Sequence, residues 1–147
     1  MVRLANRWDR DNLVNMFCRY RSSSKIQQIV NSTNTAAAER IIEQIIIGHG
    51  IALISEIKEQ PTGMLIALRH PLVWDPDLVI LSEIAWWVDQ EYRGSRSGLL
   101  LLKEYQRLAE QEISQGKIIN YTISEMVDNP IDYSRWGLKP RETIWTK

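Results

Sequence analysis

Apolar positions along the chain switch between a helical and a strand-like period, and the switches mark the elements. Leu13, Val14, Met16, Phe17 and Tyr20 recur at helical spacing, with Asp9 or Asp11 placed to cap that helix. Residues 19–34 are polar and carry Ser22, Ser23 and Ser24, so they read as a loop, with 26–30 adding a turn of helix. Residues 35–47 predict a second helix: Thr35 caps it, Ala36 to Ala38 favour it, and Ile41, Ile42, Ile45 and Ile46 form its apolar stripe. Gly48-His49-Gly50 stops it. Two strand-like runs follow, 51–57 and 62–68, joined as a hairpin by Lys58-Glu59-Gln60-Pro61. Residues 69–76 read as a loop containing Trp74. The run 78–88 is apolar and rich in Val, Ile and Trp, which predicts a buried strand.

After Gly98, Leu101, Leu102, Tyr105, Leu108, Ala109 and Ile113 return to the helical period until Gly116. Residues 118–123 make another strand, Pro130 opens a short helix over 130–136, and 138–145 supplies a last strand. A first short strand is placed around Val2 and Leu4. A strand leading through a helix to a strand requires parallel pairing and a right-handed crossover. The expected fold is α/β: a mixed, mostly antiparallel sheet of six to seven strands, helices on both faces, and a parallel strand–helix–strand core over 78–123. No repeat or linker divides residues 1–147, so a single domain is expected.

Composition narrows the function classes. Of 147 residues, 44% are hydrophobic and 24% charged, and the eighteen basic and eighteen acidic side chains cancel. That balance argues against a nucleic-acid or membrane-surface binder as the general role. Cys18 is the single cysteine, which excludes an internal disulfide and reads as a small buried residue. The apolar runs fall short of the roughly 20 residues of a membrane span, and the charged N-terminus lacks a signal-peptide core. The chain is expected to be soluble and cytoplasmic. Residues 1–25 hold Arg3, Arg7, Arg10, Arg19, Arg21 and Lys25 against Asp9 and Asp11. This cluster reads either as a solvated helix face or as a basic lip for an acidic substrate or partner. His49 and His70 form no metal-ligand spacing, so no metal is expected.

The informative stretch is the polar turn between strand 78–88 and the following helix. A helix start leaves backbone N–H groups unpaired and carries partial positive charge, to which Arg93 and Arg96 add full charges. Such a turn suits an anion, most naturally phosphate. It lacks the G-K-[ST] of a P-loop and the G-x-G-x-x-G of a dinucleotide fold. Within the preceding strand, Glu83 stands among apolar residues, where burial would raise its pKa into the range of a general base.

Val88-Asp89-Gln90-Glu91-Tyr92-Arg93-Gly94 resembles the V-x-P-E-Y-R-G run of the GCN5-related N-acetyltransferases (the GNAT family). That family continues as R-G-x-G-x-G before a leucine-rich helix. Here the run is Arg93-Gly94-Ser95-Arg96-Ser97-Gly98-Leu99-Leu100, with the first and third glycines matched and Arg96 in place of the second. Further on, Tyr133-Ser134-Arg135-Trp136-Gly137-Leu138 is similar to the family's Y-x-x-x-G-F ending. The order of elements also agrees, so the resemblance covers nearly the whole chain. The turn variant is similar to forms found in tailed-phage members, which would place the protein in a host cytoplasm.

The resemblance implies acetyl-CoA as co-substrate. The backbone N–H groups of Arg93, Gly94, Ser95, Arg96, Ser97 and Gly98 would hold its pyrophosphate, and Trp86, Trp87 and Val88 would pair with the pantetheine arm. Asn129 resembles the family's polar cofactor contact, although it lies closer to Tyr133 than is usual. The implied chemistry is direct acetyl transfer to a small-molecule or protein amine, with Glu83 as base and Tyr133 as the acid that protonates the leaving thiolate. Adjacent in a strand, Trp86 and Trp87 must face opposite ways. Two other readings stand beside this one. One is a non-catalytic protein of the same fold that binds CoA or a protein. The other is an accessory protein that holds an acidic partner through its basic first helix. The residues leave open the acceptor and whether the chain acts alone or as a homodimer.

Overall fold

The computed structural model describes residues 1–124 and 131–142. Its strands are β1 (Val2–Leu4), β2 (Gly50–Ile57), β3 (Gln60–Pro71), β4 (Val79–Val88) and β5 (Asn120–Thr122). Its helices are α1 (Arg10–Ser22), α2 (Gln27–Val30), α3 (Ala36–Gln44) and α4 (Ser97–Ser114). The strands form one sheet in the order β1-β2-β3-β4-β5, antiparallel except for the parallel pair β4–β5. The mixed sheet and the parallel β4-α4-β5 unit are as expected, whereas the strand number is five among the described residues rather than six or seven.

One expected strand, 138–145, is not seen among the described residues. Residues 138–142 were expected to open a last strand but carry no strand pairing, and 143–147 lie outside the described residues. Lys139-Pro140 interrupts the apolar alternation, and proline cannot donate to a ladder. The expected helix over 130–136 is a 3₁₀ turn, Ser134–Trp136, closed by Gly137, and Pro130 lies outside the described residues.

Two cores flank the sheet. On one face Leu13, Val14 and Met16 of α1 and Ile42 of α3 pack on Ala52, Ile54, Met64, Ile66 and Ala85. On the other, Leu101, Tyr105 and Ala109 of α4 pack on Ile51, Leu53, Leu65, Ala67 and Leu81. Each fully buried aliphatic side chain contributes roughly 1.5–3 kcal/mol, so the alternation of β2 and β3 between two helical layers carries much of the stability. After α3 the chain makes a wide last turn, Ile45–His49, which Gly48 ends at φ +119, as the sequence marked.

The β3–β4 register slips between Ile66 and Ala67, leaving Ile84 as an extra residue on β4. Five positions apart, Leu81 and Trp86 would face opposite ways in a regular strand. Across the bulge both pack on the α4 side, while Ala85 and Trp87 face α1 and α3. Trp86 and Trp87 thus take opposite faces as expected.

The basic N-terminal cluster is largely neutralised in three dimensions. Arg3 pairs with Asp9 and Glu56, Arg10 with Asp11, Glu39 and Glu43, and Arg19 with Asp89. Most partners come from distant sequence, so a count over residues 1–25 overstates the local field. Asp9 stands at the N-cap of α1 as expected, but its side chain makes no cap bond to that helix; it accepts the Asn6 N–H at 2.8 Å, while Asn6 accepts the Trp8 N–H, in a capping box on the preceding 3₁₀ turn Arg7–Asp9.

Candidate functional site at the parting of β4 and β5

The β4–β5 ladder is short. It pairs Ile80 with Asn120, Leu81 with Tyr121 and Ser82 with Thr122, and then stops. On its other side β4 remains paired with β3 as far as Val88. Among the described residues, Glu83 to Val88 therefore present a strand edge toward β5 with no strand on it. Tyr105 pins the vertex of this opening: its buried hydroxyl lies 3.3 Å from the Leu81 carbonyl and 3.0 Å from that of Thr122. Burial holds this phenol well above its ordinary pKa, so it acts as a neutral donor.

Glu83 is the first residue beyond the vertex and is only 4% exposed. Its Oε2 accepts the Ser124 backbone N–H at 3.0 Å. Burial pushes its pKa up to about 7, against the opposing pull of that hydrogen bond. A carboxylate at this value holds and releases a proton near neutrality, which general-base work requires. Sequence had picked out Glu83 from its apolar surroundings. Ser124 and Tyr105 had no such signal, since their role is set by β5 lying beside β4.

The turn after β4 opens with the 3₁₀ turn Gln90–Tyr92, and Gly94 takes φ +88, a conformation that favours glycine. Several of its N–H groups are already used. Arg93 donates to the Gln90 carbonyl, Ser95 to that of Tyr92, and Ser97 to Ser95 Oγ at 3.2 Å. The N–H groups of Gly94, Arg96, Gly98 and Leu99 make no hydrogen bond among the described residues. These four donors lie at the start of an 18-residue helix, the kind of place that suits an anion and the candidate cradle. Leu99 is one of these donors, one residue beyond the run Arg93–Gly98 marked in the sequence. Arg96 takes ordinary helical dihedrals, φ −76 and ψ −5, so a side chain in place of glycine is accommodated.

Arg93 points elsewhere. Its guanidinium sits 4.5 Å from the centre of the Trp87 ring, and its Nε donates to the Val88 carbonyl at 3.1 Å. The Trp87 ring in turn donates Nε1–H to Asp89 at 2.7 Å, and Asp89 receives two bonds from Arg19. Trp87 is thereby bound into a polar cluster on the α1 side. Beside it lies an open cavity of about 410 Å³ lined by Cys18, Arg19, Ser22, Ser23 and Trp87. Cys18 is half-buried rather than buried, because it stands near the exposed end of α1.

Tyr133 comes to β4 from the far end of the chain. Its ring is 6.4 Å from that of Trp86 and 6.0 Å from that of Trp136. Gln106 of α4 fixes this segment by donating to the Trp136 carbonyl at 3.1 Å. Trp86 lies against the helix start, where a Cβ on Gly98 would sit 3.8 Å from its ring. The structure thus brings Glu83, Trp86, Tyr133 and the cradle to one side of the sheet. Asn129 lies outside the described residues. Of residues 69–76, expected to be a loop, Arg69 to Pro71 continue β3; the loop that follows lies at the other end of β4 from the turn after Val88, with Trp74 89% exposed.

By sequence, no family model matches the chain, and no curated protein does. Solved structures match its fold over its full length. A possible acetyltransferase from Clostridium difficile 630 gives a TM-score of 0.73 at 11% identity, covering 100% of this chain and 95% of that one. A GNAT family acetyltransferase from Staphylococcus aureus gives 0.64 at 16%, covering 100% and 96%. An aminoglycoside 6′-N-acetyltransferase from Acinetobacter haemolyticus gives 0.68 at 14%, also covering 100% and 96%. The chain has the α/β fold of these GNAT acetyltransferase structures.

Proposed function

We propose that the chain is an acetyl-CoA-dependent N-acetyltransferase acting on a primary amine by direct transfer. The observation that carries this reading is Glu83, a nearly inaccessible carboxylate with a pKa of about 7 at the vertex of a strand edge that is unpaired among the described residues. Glu83 takes the proton of the incoming ammonium, so that the neutral amine attacks the thioester carbonyl. Tyr133 gives its phenolic proton to the leaving thiolate. The N–H groups of Gly94, Arg96, Gly98 and Leu99 fit a pyrophosphate, with Arg96 adding a charge-assisted contact. The edge from Trp86 to Val88 fits the amides of the pantetheine arm. When bound, the co-substrate supplies the activated acetyl group. The chemistry of the named acetyltransferase structures adds support through fold alone.

A second reading is a non-catalytic CoA-binding protein. It draws on the turn satisfying several of its own donors, those of Arg93, Ser95 and Ser97. One experiment decides between them. Acetyl-CoA is expected to raise the melting temperature by stabilising the native state. Free thiol release is then followed across amines, amino acids and peptides. No thermal shift at millimolar acetyl-CoA would overturn both readings, and a shift without thiol release on any acceptor would favour the second.

A further inference from the structure

Ser82 and His70 form a second constellation, on the face of the sheet away from α4. Leu81 packs under α4 and Arg69 pairs with Glu112 of α4, so the next residues, Ser82 and His70, face the α1 and α3 side. They meet diagonally across the β3–β4 pair. His70 Nε2 lies 2.9 Å from Ser82 Oγ, and His70 Nδ1 lies 3.2 Å from the Pro71 carbonyl oxygen. A carbonyl only accepts, so Nδ1 carries the imidazole proton. Nε2 is then the acceptor, and the Ser82 hydroxyl donates to it. This is the order of a nucleophile, its base and the group that orients the base, with a backbone carbonyl as orienter.

The strand pairing does not need this contact. The backbone register already joins Ser82 to Leu68 and His70 to Ile80. Both side chains are half-buried, so a small molecule can reach them. Ser82 is also the last β4 residue paired with β5, which places it beside the point where the sheet opens.

We propose that Ser82 and His70 are a nucleophile–base pair that accepts acyl groups from activated esters and thioesters. Ser82 Oγ attacks the acyl carbon while its proton passes to His70 Nε2. The bond from the acyl carbon to the leaving oxygen or sulfur breaks, and the leaving group departs with the electron pair and takes the proton from His70. Water then attacks the acyl-serine with His70 as base, releasing the carboxylic acid and restoring the Ser82 hydroxyl. This activity does not rest on CoA binding or on Glu83.

The probe is p-nitrophenyl acetate with the full chain, read by nitrophenol release and by mass spectrometry of the acidified protein. A burst of about one equivalent is expected, with one acetyl group on the peptide containing Ser82. Ser82→Ala abolishes the burst and the label. His70→Gln slows labelling on the order of 10²-fold, with the residual label still on Ser82. Melting curves of both variants check folding, and if Ser82→Ala unfolds, His70→Gln alone carries the test. A burst retained in Ser82→Ala, label confined to other residues, or wild-type labelling in His70→Gln overturns the proposal. Because the probe bypasses the cradle, this outcome is independent of whether acetyl-CoA binds.

Discussion

The Ser124 backbone N–H donates to Glu83 across the gap that opens one residue beyond the last β4–β5 pair. That hydrogen bond does not offset the cost of burial, which keeps the pKa at about 7. The native state therefore holds a proton that the unfolded chain releases near its ordinary 4.5. Stability must fall as pH rises from about 4.5 to 7 and level off above, by roughly 3 kcal/mol from this group. Glu83→Gln removes that slope. Urea midpoints at pH 5 and pH 8 check it: wild type loses stability between them, and the variant loses about 2.5 kcal/mol less, part of the effect being already lost at pH 5. A parallel fall in both proteins would show that Glu83 is not the group responsible.

In the proposed reaction, the same proton sets the pH dependence of turnover. Wild-type activity should rise with pH through about 7 as Glu83 ionises. Glu83→Gln should lower kcat by about 10²–10⁴-fold while leaving acetyl-CoA binding intact. Rate profiles at saturating acetyl-CoA, with Kd by calorimetry, separate the two effects. Equal losses in binding and turnover would make Glu83 a structural residue.

How far the sequence led can be seen from these residues. Glu83 stood out because a carboxylate in an apolar strand needs a cause, and the cradle stood out because helix starts announce themselves locally. The helical stripes and the hairpin were legible for the same reason, since periodicity is a local property. The vertex was not legible, because Tyr105 and Ser124 gain their places only from where β5 stops pairing with β4. The neutralised arginines were missed in the same way: Arg19 and Asp89 are seventy residues apart in sequence. The start of the last expected strand was overread, because alternation was followed across Lys139-Pro140; its end lies outside the described residues.

Arg69 and Glu112 join β3 to α4 through two hydrogen bonds, and Arg69 Nη1 also donates to the Gly48 carbonyl at 2.6 Å. Glu112 is buried, so removing it strands a guanidinium that is itself mostly covered. Glu112→Ala should cost about 3 kcal/mol. The double replacement Arg69→Met with Glu112→Met should recover most of the loss, because no buried charge remains. Denaturant midpoints of the three variants test this; a double variant as weak as the single one would mean that the pair stabilises in its own right.

The β2–β3 hairpin turns through Lys58 and Glu59, both at positive φ, 51° and 63°. Two such residues make a turn of the I′ type, which Asn-Gly fits without strain. The pairing of Ile57 with Gln60 fixes the loop at two residues, shorter than the four-residue link expected from sequence. Lys58→Asn with Glu59→Gly should raise stability by about 1 kcal/mol and leave acetyl-CoA binding unchanged. Thermal melts check it, and a lower melting temperature would refute the strain argument.

Gly98 separates stability from binding at the cradle. A Cβ there would meet Val88 Cγ2 at 3.7 Å and the Trp86 ring at 3.8 Å, which are ordinary contacts. Alanine also favours a helix over glycine by up to about 1 kcal/mol. Gly98→Ala should therefore keep or raise the melting temperature. The added methyl stands beside an N–H that is unpaired among the described residues, at the first turn of α4, where the proposed function would bring a phosphate close. Affinity for acetyl-CoA should fall about tenfold, and Arg96→Gly should weaken it further by removing a charge. Gly50→Ala is the control: its Cβ would land on the Ala67 carbonyl oxygen, a backbone atom that cannot move aside. That variant should lose stability outright, by about 2 kcal/mol or more, whatever the ligand. Unchanged affinity in Gly98→Ala would place the phosphates somewhere other than this turn.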